Sequence, residues 1–595
     1  MERYVALASD AYEFGAIAGF SEEHRDNKVL CIYYDHWVRK DAVPENVELE
    51  RASRITGRTG FLSQAEVDTV DERALFFARN WYNFDESFGQ AITFDGINLG
   101  FVTQQAFFNI FKDIFVFLAS ISKFVRENED PVIVVVKGSF SGACGKVAAD
   151  SLGAKLIELN PKDEGRKHFG TPFRAKKVQE LAGKFFNILR TELGLQNKRN
   201  ARTVFVKGNR FLGNLLKEIE KDPALKAVSL DNAVLKSMLN PLNIYRYKSV
   251  MSEKGKLFER LYSKYCKSSQ FLKNMRFEGI GFGAAFSSRM PRFTMRDWPE
   301  FIFVIGVMTE EFKRHRPHAV VLWEDAIPVE RICALLASKF GARSIVAQHG
   351  QFEPDTNLKD WIRGFVPLTA DVIAVWGERF RKMMVERGVS PSRAIVTGAP
   401  RFDFFKKNRL YAERARKKLG VAPGEKLVVV ASGKDFSRRE LEAVWGGTEA
   451  MGKKVGLKVV FRPHPTESVE LYSWMKGKAA VIRDMDLRGL LSAADAVIVK
   501  LSTVGFEAII LDTPVIVFGD KLWIENPFRS TDAVLRAGSS KELEAALGVS
   551  FDEVKKGELR KKMEKFVFDS SFRQDGNASK RVVELVKRDS WPVRH

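Results

Sequence analysis

Four stretches in the second half of the chain decide the reading: LVVVASGK at residues 427–434, LKVVFRPHPTES at 457–468, AVIVKLST at 496–503 and PVIVFGD at 514–520. Each opens with β-branched and apolar residues and ends in polar residues or glycine. A continuous apolar run of this length is what a strand buried on both faces requires. Helical sequence separates the four, and strands alternating with helices at this spacing mean a parallel, doubly wound sheet. In such a sheet, ligands bind beyond the C-terminal ends of the strands. The polar residues suited to chemistry stand at those ends.

The same alternation runs back to Pro317. AVVLW at 319–323 leads into Glu324-Asp325, the strand Ser344 to Ala347 into Gln348-His349-Gly350, DVIAVW at 371–376 into a helix, and Ala394 to Val396 into Thr397-Gly398-Ala399-Pro400. Nearer the N-terminus, the apolar run Val29 to Tyr34 ends at Asp35-His36, and PVIVVV at 131–136 opens a β-α-β unit whose second strand is Lys155 to Leu159. Gly138, Gly142 and Gly145 between those two strands match neither the dinucleotide fingerprint nor a P-loop. A tight structural turn explains them as well as a phosphate cradle does.

From Asn160 to Arg292 the character changes. Lys and Arg are dense, Phe and Tyr are scattered among them, and long apolar runs vanish; KKVQELAGKFFNILRTELG and GKLFERLYSKYCKSSQFLKNMRF have helical periodicity. The mixture suits a membrane interface or an anionic polymer, and equally a helical cap with a basic solvent face. The apolar stretch Phe101 to Phe124 is interrupted by Lys112 and Asp113, so it reads as a buried or amphipathic helix rather than a membrane span.

The 595 residues exceed what one core sustains. The net charge of +20 favours nucleic acid, an anionic membrane surface or an anionic substrate. Four cysteines without a CxxC pair argue against a disulfide framework or structural zinc. The opening MERYVALASDAYEFG lacks the basic and apolar regions of a signal peptide.

The candidate site follows from the strand ends. Arg462 and His464 sit in RPHP, where the prolines hold the backbone and delay the next helix, placing a cation and an imidazole where a phosphate would bind. Ser502 and Thr503 precede the helix that carries Glu507. They read as an N-cap with amides for a diphosphate, and Glu507 as an acceptor for ribose hydroxyls. Ser432-Gly433-Lys434 offers close backbone approach and a charge. A proton acceptor for an acceptor hydroxyl has five strand-end or loop candidates, Asp35, His36, Glu324, Asp325 and Glu353.

The run from about residue 317 to 535 resembles surface-carbohydrate and capsule-assembly transferases of the GT-B fold. The resemblance is carried by PHAVVLWED, GARSIVAQHG, ADVIAVWGERFRKMMVERGVSPSRAIVTGAPRFD, VVFRPHPTE and LSAADAVIVKLSTVGFEAIILDTPVIVFG. Related groups are CDP-glycerol glycerophosphotransferases, Kdo- and sialic-acid-type polymer transferases and UDP-N-acetylglucosamine 2-epimerases. The resemblance implies that His464 contacts the donor phosphate, that Ser502 and Thr503 hold the phosphates, that Glu507 binds the ribose, and that His349 faces the interdomain cleft. In this fold the leaving diphosphate is managed by cations and helix dipoles, a role that Arg462, His464 and Lys500 fit. The resemblance therefore implies no obligatory metal or cofactor. Ser-Thr-Val-Gly-Phe-Glu at 502–507 departs from the epimerase pattern of a Ser-Gly-Gly-type turn followed by consecutive acids, which favours a transferase.

The expected architecture is α/β and GT-B-like, with two Rossmann-like domains facing a cleft and a basic helical insertion. Residues 1–160 form the first part of the N-terminal Rossmann-like domain, 161–292 the insertion, 293–365 the continuation, 366–552 the C-terminal nucleotide-binding domain and 553–595 a helical tail. The expected function is transfer of a sugar or polyol phosphate from a CMP-, CDP- or UDP-linked donor to an anionic, lipid-linked or polysaccharide acceptor. The expected place is the cytoplasm, with peripheral contact at the inner membrane face left open. A sugar-nucleotide 2-epimerase or hydrolase is the alternative enzyme. A nucleic-acid-binding protein is the alternative of another class, although no helix-turn-helix, zinc-finger, KH or RRM signature is present.

Overall fold

The computed structural model describes residues 3–33, 43–51, 61–160, 201–207, 212–232, 234, 240–350, 368–405, 409–432, 436–464, 467, 469–500, 502–519, 528 and 530–589. Seventeen strands in these residues build three sheets, each wholly parallel.

The first sheet contains β1 (Arg3–Ala8), β2 (Val29–Tyr33), β3 (Val47–Arg51), β4 (Pro131–Val136) and β5 (Lys155–Leu159), in the order β3-β2-β1-β4-β5. The second contains β6 (Arg202–Val206), β7 (Leu225–Ser229), β8 (Ala319–Leu322), β9 (Arg343–Ala347), β10 (Val372–Val375) and β11 (Ala394–Val396), in the order β11-β10-β9-β8-β6-β7. The third contains β12 (Lys426–Ala431), β13 (Leu457–Arg462), β14 (Ala480–Val481), β15 (Ala496–Val499), β16 (Val515–Phe518) and β17 (Leu535–Ala537), in the order β14-β13-β12-β15-β16-β17. The third order is that of a dinucleotide-type doubly wound sheet, with its switch point between β12 and β15. The expected pair of Rossmann-like sheets is present as the second and third.

Strand pairing redraws the expected boundaries in three places. Residues 1–160 and 293–365 do not share a sheet, because β1 pairs with β2 and β4 while β8 pairs with β6 and β9. The basic segment contributes two strands, β6 and β7, to the second sheet. Their apolar runs are short and embedded among Lys and Arg, yet Val204, Phe205 and Val206 are buried. The change of sheet falls after Val396 rather than near residue 365, since β10 and β11 extend the sheet from β9. Parallel strands look alike in sequence whichever sheet they join.

The stretch read as a buried helix forms the helix Gln104–Glu127, with Phe107, Phe108, Phe111, Phe115 and Phe117 all buried. Among the described residues, no helix is long and apolar enough to cross a membrane. Lys112 forms an ion pair inside this body with Asp71 at 2.6 Å, and both side chains are almost wholly buried. The tail is helical over Glu553–Ser571 and Ala578–Lys587. It returns to the second sheet, where Val582, Val583, Leu585 and Val586 pack with Val204, Val321, Ile345 and Val372. The Asp403 carboxylate accepts the amides of Ala578 and Ser579, each at 2.8 Å, and so caps that last helix from a turn far back in the chain.

Candidate active site

The third sheet brings its strand ends together by register. Ala431 lies beside Arg462, and Val430 beside Ile498, so the residues following β12, β13 and β15 share one edge. The buried Ser432 hydroxyl accepts from the Tyr472 hydroxyl at 2.7 Å. Tyr472 also reaches the Glu467 carboxylate at 3.3 Å, and that carboxylate accepts the His464 amide at 2.8 Å. The turn after β13 is therefore closed on itself, and the His464 side chain stands exposed on it. Arg462 donates to the Met485 carbonyl at 2.8 Å, which fixes its guanidinium beside the edge.

Two expected phosphate ligands stand differently from their sequence reading. Lys500 forms an ion pair with Glu440 at 2.5 Å, so its charge is engaged by the first turn of the helix Arg438–Gly452. The helix after β15 is short, Val504–Ile510, and Thr503 makes no side-chain cap on it. Ser502 takes the Val504 amide at 3.3 Å, and the amides of Gly505 and Phe506 bond back to the carbonyls of Ser502 and Thr503. The hydroxyls, more than free amides, are what this turn presents. Gly505 is needed for space, since a Cβ there would meet the Phe528 ring at 2.8 Å.

On the opposite wall, the ends of the second sheet carry Trp323, Glu324, Asp325, Gln348, His349 and Arg401. His349 Nδ1 lies 2.9 Å from the Trp323 carbonyl, and its ring stands edge-on to the Trp323 ring at 4.7 Å. A carbonyl only accepts, so Nδ1 carries the hydrogen and Nε2 is the basic nitrogen. Gln348 holds the turn by accepting the Trp376 amide at 2.8 Å through its side chain and the Trp376 indole N–H at 2.7 Å through its carbonyl. Glu324 is buried, and burial together with the charges of Glu330 and Asp325 pushes its carboxyl up to about 8. Asp325 is fully buried and accepts the amides of Thr369 and Ala370 at 2.5 and 2.7 Å. Burial pushes Asp325 up to about 6 against those bonds and the Arg331 charge. These contacts make Asp325 a brace between β8 and the segment before β10.

A charged contact joins the two walls. Arg401, on the turn Pro400–Phe402 after β11, donates Nη2 to Glu507 Oε1 at 2.9 Å, while its Nη1 lies 3.5 Å from the His349 carbonyl. Burial raises the Glu507 carboxyl, and Arg401 and then Arg462 pull it back. Behind the pair, Trp376 stacks on Phe506 at 6.3 Å and Phe402 packs on the same ring at 5.6 Å. Glu507, Arg462, Arg401, His349 and Glu324 are thus gathered by direct contacts and neighbouring strand ends. Ser432, His464, Ser502 and Thr503 line the third-sheet side. Asp35, His36, Glu353, Gly433 and Lys434 lie outside the described residues.

Sequence reasoning passed over Arg401, Tyr472 and Glu467. Arg401 had a readable signal, a cation directly after the strand-end run Thr397-Gly398-Ala399-Pro400. Tyr472 and Glu467 had none, since their role is to close a turn in space.

No curated protein matches the chain. Among solved structures, a UDP-GlcNAc 2-epimerase from Neisseria meningitidis bound to UDP-GlcNAc is similar at 14% identity and a TM-score of 0.41, over 65% of this chain and 100% of that one. A UDP-GlcNAc 2-epimerase from Methanocaldococcus jannaschii is similar at 14% identity and a TM-score of 0.40, over 64% and 98%. A glycosyltransferase from Rickettsia africae is similar at 10% identity and a TM-score of 0.38, over 66% and 100%. Residues 375–588, a little over a third of the chain and the part that carries Arg401, Arg462, His464, Ser502, Thr503 and Glu507, match the family model of CDP-Glycerol:Poly(glycerophosphate) glycerophosphotransferase.

Proposed function

We propose that this chain transfers a sugar or a polyol phosphate from a nucleotide-activated donor, CMP-, CDP- or UDP-linked, to an anionic acceptor that is lipid-linked or a polysaccharide. The family match over residues 375–588 supports an enzyme that moves nucleotide-linked groups. The observation that carries the reading is the ion pair between Arg401 and Glu507, because it sets the switch point of the third sheet directly against the His349 turn of the second.

In this reading Glu507 receives the ribose hydroxyls. Ser432, Arg462, His464, Ser502 and Thr503 hold the phosphates, with Lys500 entering only when it leaves Glu440. His349 Nε2 takes the proton of the acceptor hydroxyl, since Trp323 fixes the tautomer that leaves that nitrogen basic. Glu324 is the poorer base, because a carboxyl at about 8 already holds its proton at neutral pH. No step in this scheme calls on a metal. A cytoplasmic place with peripheral contact at the inner membrane face is part of the proposal. Leu242 and Tyr245, exposed at 73% and 77% beside Arg246 and Lys248 in the first turns of the helix Pro241–Tyr265, support it.

Thermal unfolding in the presence of CMP, CDP, UDP and their sugar and polyol conjugates tests the donor site. A ligand at about a hundredfold its Kd adds about 2.7 kcal/mol to stability. The expected result is a shift with one nucleotide that disappears in His464→Ala and Glu507→Ala. No shift with any nucleotide would remove the proposal. His349→Ala should keep nucleotide binding and lose about 10²–10⁴-fold in turnover.

A further inference from the structure

We propose that Arg401 and Glu507 form a ligand-operated latch across the cleft, which a ribonucleoside diphosphate opens by giving its ribose diol to Glu507 and its phosphates to Arg401. This deepens the donor-site reading above and rests on it.

The pair is built so that only a side chain needs to move. The turn that carries Arg401 is fixed on every side. Asn214 donates to the Pro400 carbonyl at 3.0 Å, Arg581 donates to the Thr397 carbonyl at 2.6 Å, and Asp403 is held by two amides of the last helix. Gly398 sits at φ +85°, with Arg581 and Ala578 about 3 Å from where a Cβ would be, so the bend before Arg401 admits no side chain. The Glu507 side chain is only 8% exposed while paired, against 23% for Arg401. The guanidinium therefore covers the carboxylate that the ribose would need. Glu507 keeps the charge of Arg462 nearby when Arg401 departs, so an opened latch does not leave a lone buried anion.

The released guanidinium stays in the cleft. Its Nη1 is already 3.5 Å from the His349 carbonyl at the same sheet's edge, and its planar fork matches a phosphate far better than a diol. A nucleoside alone must break the latch and gives Arg401 nothing in return. A nucleoside diphosphate breaks the same pair and offers the cation a better partner. Arg401 thereby selects for diphosphates and against bare nucleosides.

Titration calorimetry on the full chain tests this, using CDP and UDP and, by competition, cytidine and uridine. The variants are Arg401→Met, which removes the charge and with it the guanidinium that lies 4.9 Å from the Phe402 ring centroid, and Arg401→Lys, which keeps the charge without the fork. In Arg401→Met the diphosphate should bind about tenfold more weakly and its nucleoside about threefold more tightly. Arg401→Lys should fall between parent and Met for the diphosphate. Opposite signs for the two ligands are what damage to the fold cannot produce. A parent chain that binds one diphosphate, with both ligands weakened alike or neither affected in Arg401→Met, overturns the latch and leaves the donor site standing. A parent chain that binds neither CDP nor UDP overturns both.

Discussion

Glu324→Gln is the sharpest single perturbation at the end of β8. Glu324 follows β8, is 7% exposed, and is pushed from 4.5 to about 8 by burial first and by Glu330 and Asp325 second. A carboxyl with a raised folded value binds its proton more tightly in the native state than in the unfolded chain. Native stability is therefore unpenalised below the unfolded value and falls as pH climbs toward the folded one. At about 1.36 kcal/mol per unit, the loss between about pH 4.5 and about pH 8.5 is on the order of 4 kcal/mol. Gln has the shape of the protonated acid and cannot ionise, so the variant escapes that loss. The assay is urea unfolding of parent and variant side by side across this range, with the difference taken at each pH. Asp325 and Glu330 titrate in both chains and cancel to first order. The variant should match the parent near pH 4.5 and gain steadily above it. Parallel curves, with the same difference at both ends, would show that the native protein ionises Glu324 without cost and would refute the argument.

Further predictions concern the supports of the site. Asp403→Ala removes the carboxylate that accepts the amides of Ala578 and Ser579. It should cost about 2–3 kcal/mol and speed proteolytic cleavage in the turn at 572–577, read by melting and by a cleavage time course. Lys112→Met breaks the buried pair with Asp71 and should cost about 3–5 kcal/mol. The double variant Lys112→Met with Asp71→Leu should recover most of that in the same urea titration.

The sequence declared its sheets where strands were long and uniformly apolar. PVIVVV at 131–136, LVVVA at 427–431 and AVIV at 496–499 all became central strands. RTVFV at 202–206 did not stand out, because its short run is lost among Lys and Arg. VIAV at 372–375 was legible as a strand but not as the tenth, since joining β9 rather than β12 is decided by a partner that no local pattern names. The site was legible to the same depth. Position at a strand end picked out Arg462, His464 and Glu507, whereas the partner of each charge was not readable. Lys500 reads as a phosphate ligand, and its ion pair with Glu440, sixty residues away, has no local signal. Arg401 follows Gly398 and Pro400, which signal a turn, and nothing local signals the cation's pairing with Glu507.

The N-terminal body bears on the cleft through one buried guanidinium. Arg331, on the helix Pro328–Lys339, is 2% exposed and donates to the Asp325 carbonyl at 3.1 Å, the Phe101 carbonyl at 2.9 Å and Gln104 Oε1 at 3.4 Å. It also lies over the Phe101 ring at 4.8 Å. A planar cation with several fixed donors can serve all of these at once, where a lysine would meet one or two. Asp325 in turn holds the amides of Thr369 and Ala370, and through them the chain entering β10. Glu324 is the neighbour of Asp325 in the chain, so the end of β8 is set by a chain of bonds that begins in the Phe-rich helical body. The first sheet and its helices thus act as a buttress for the end of β8. A change at Phe101 or Gln104 disturbs Arg331 first, and through it the Asp325 carbonyl at the end of β8.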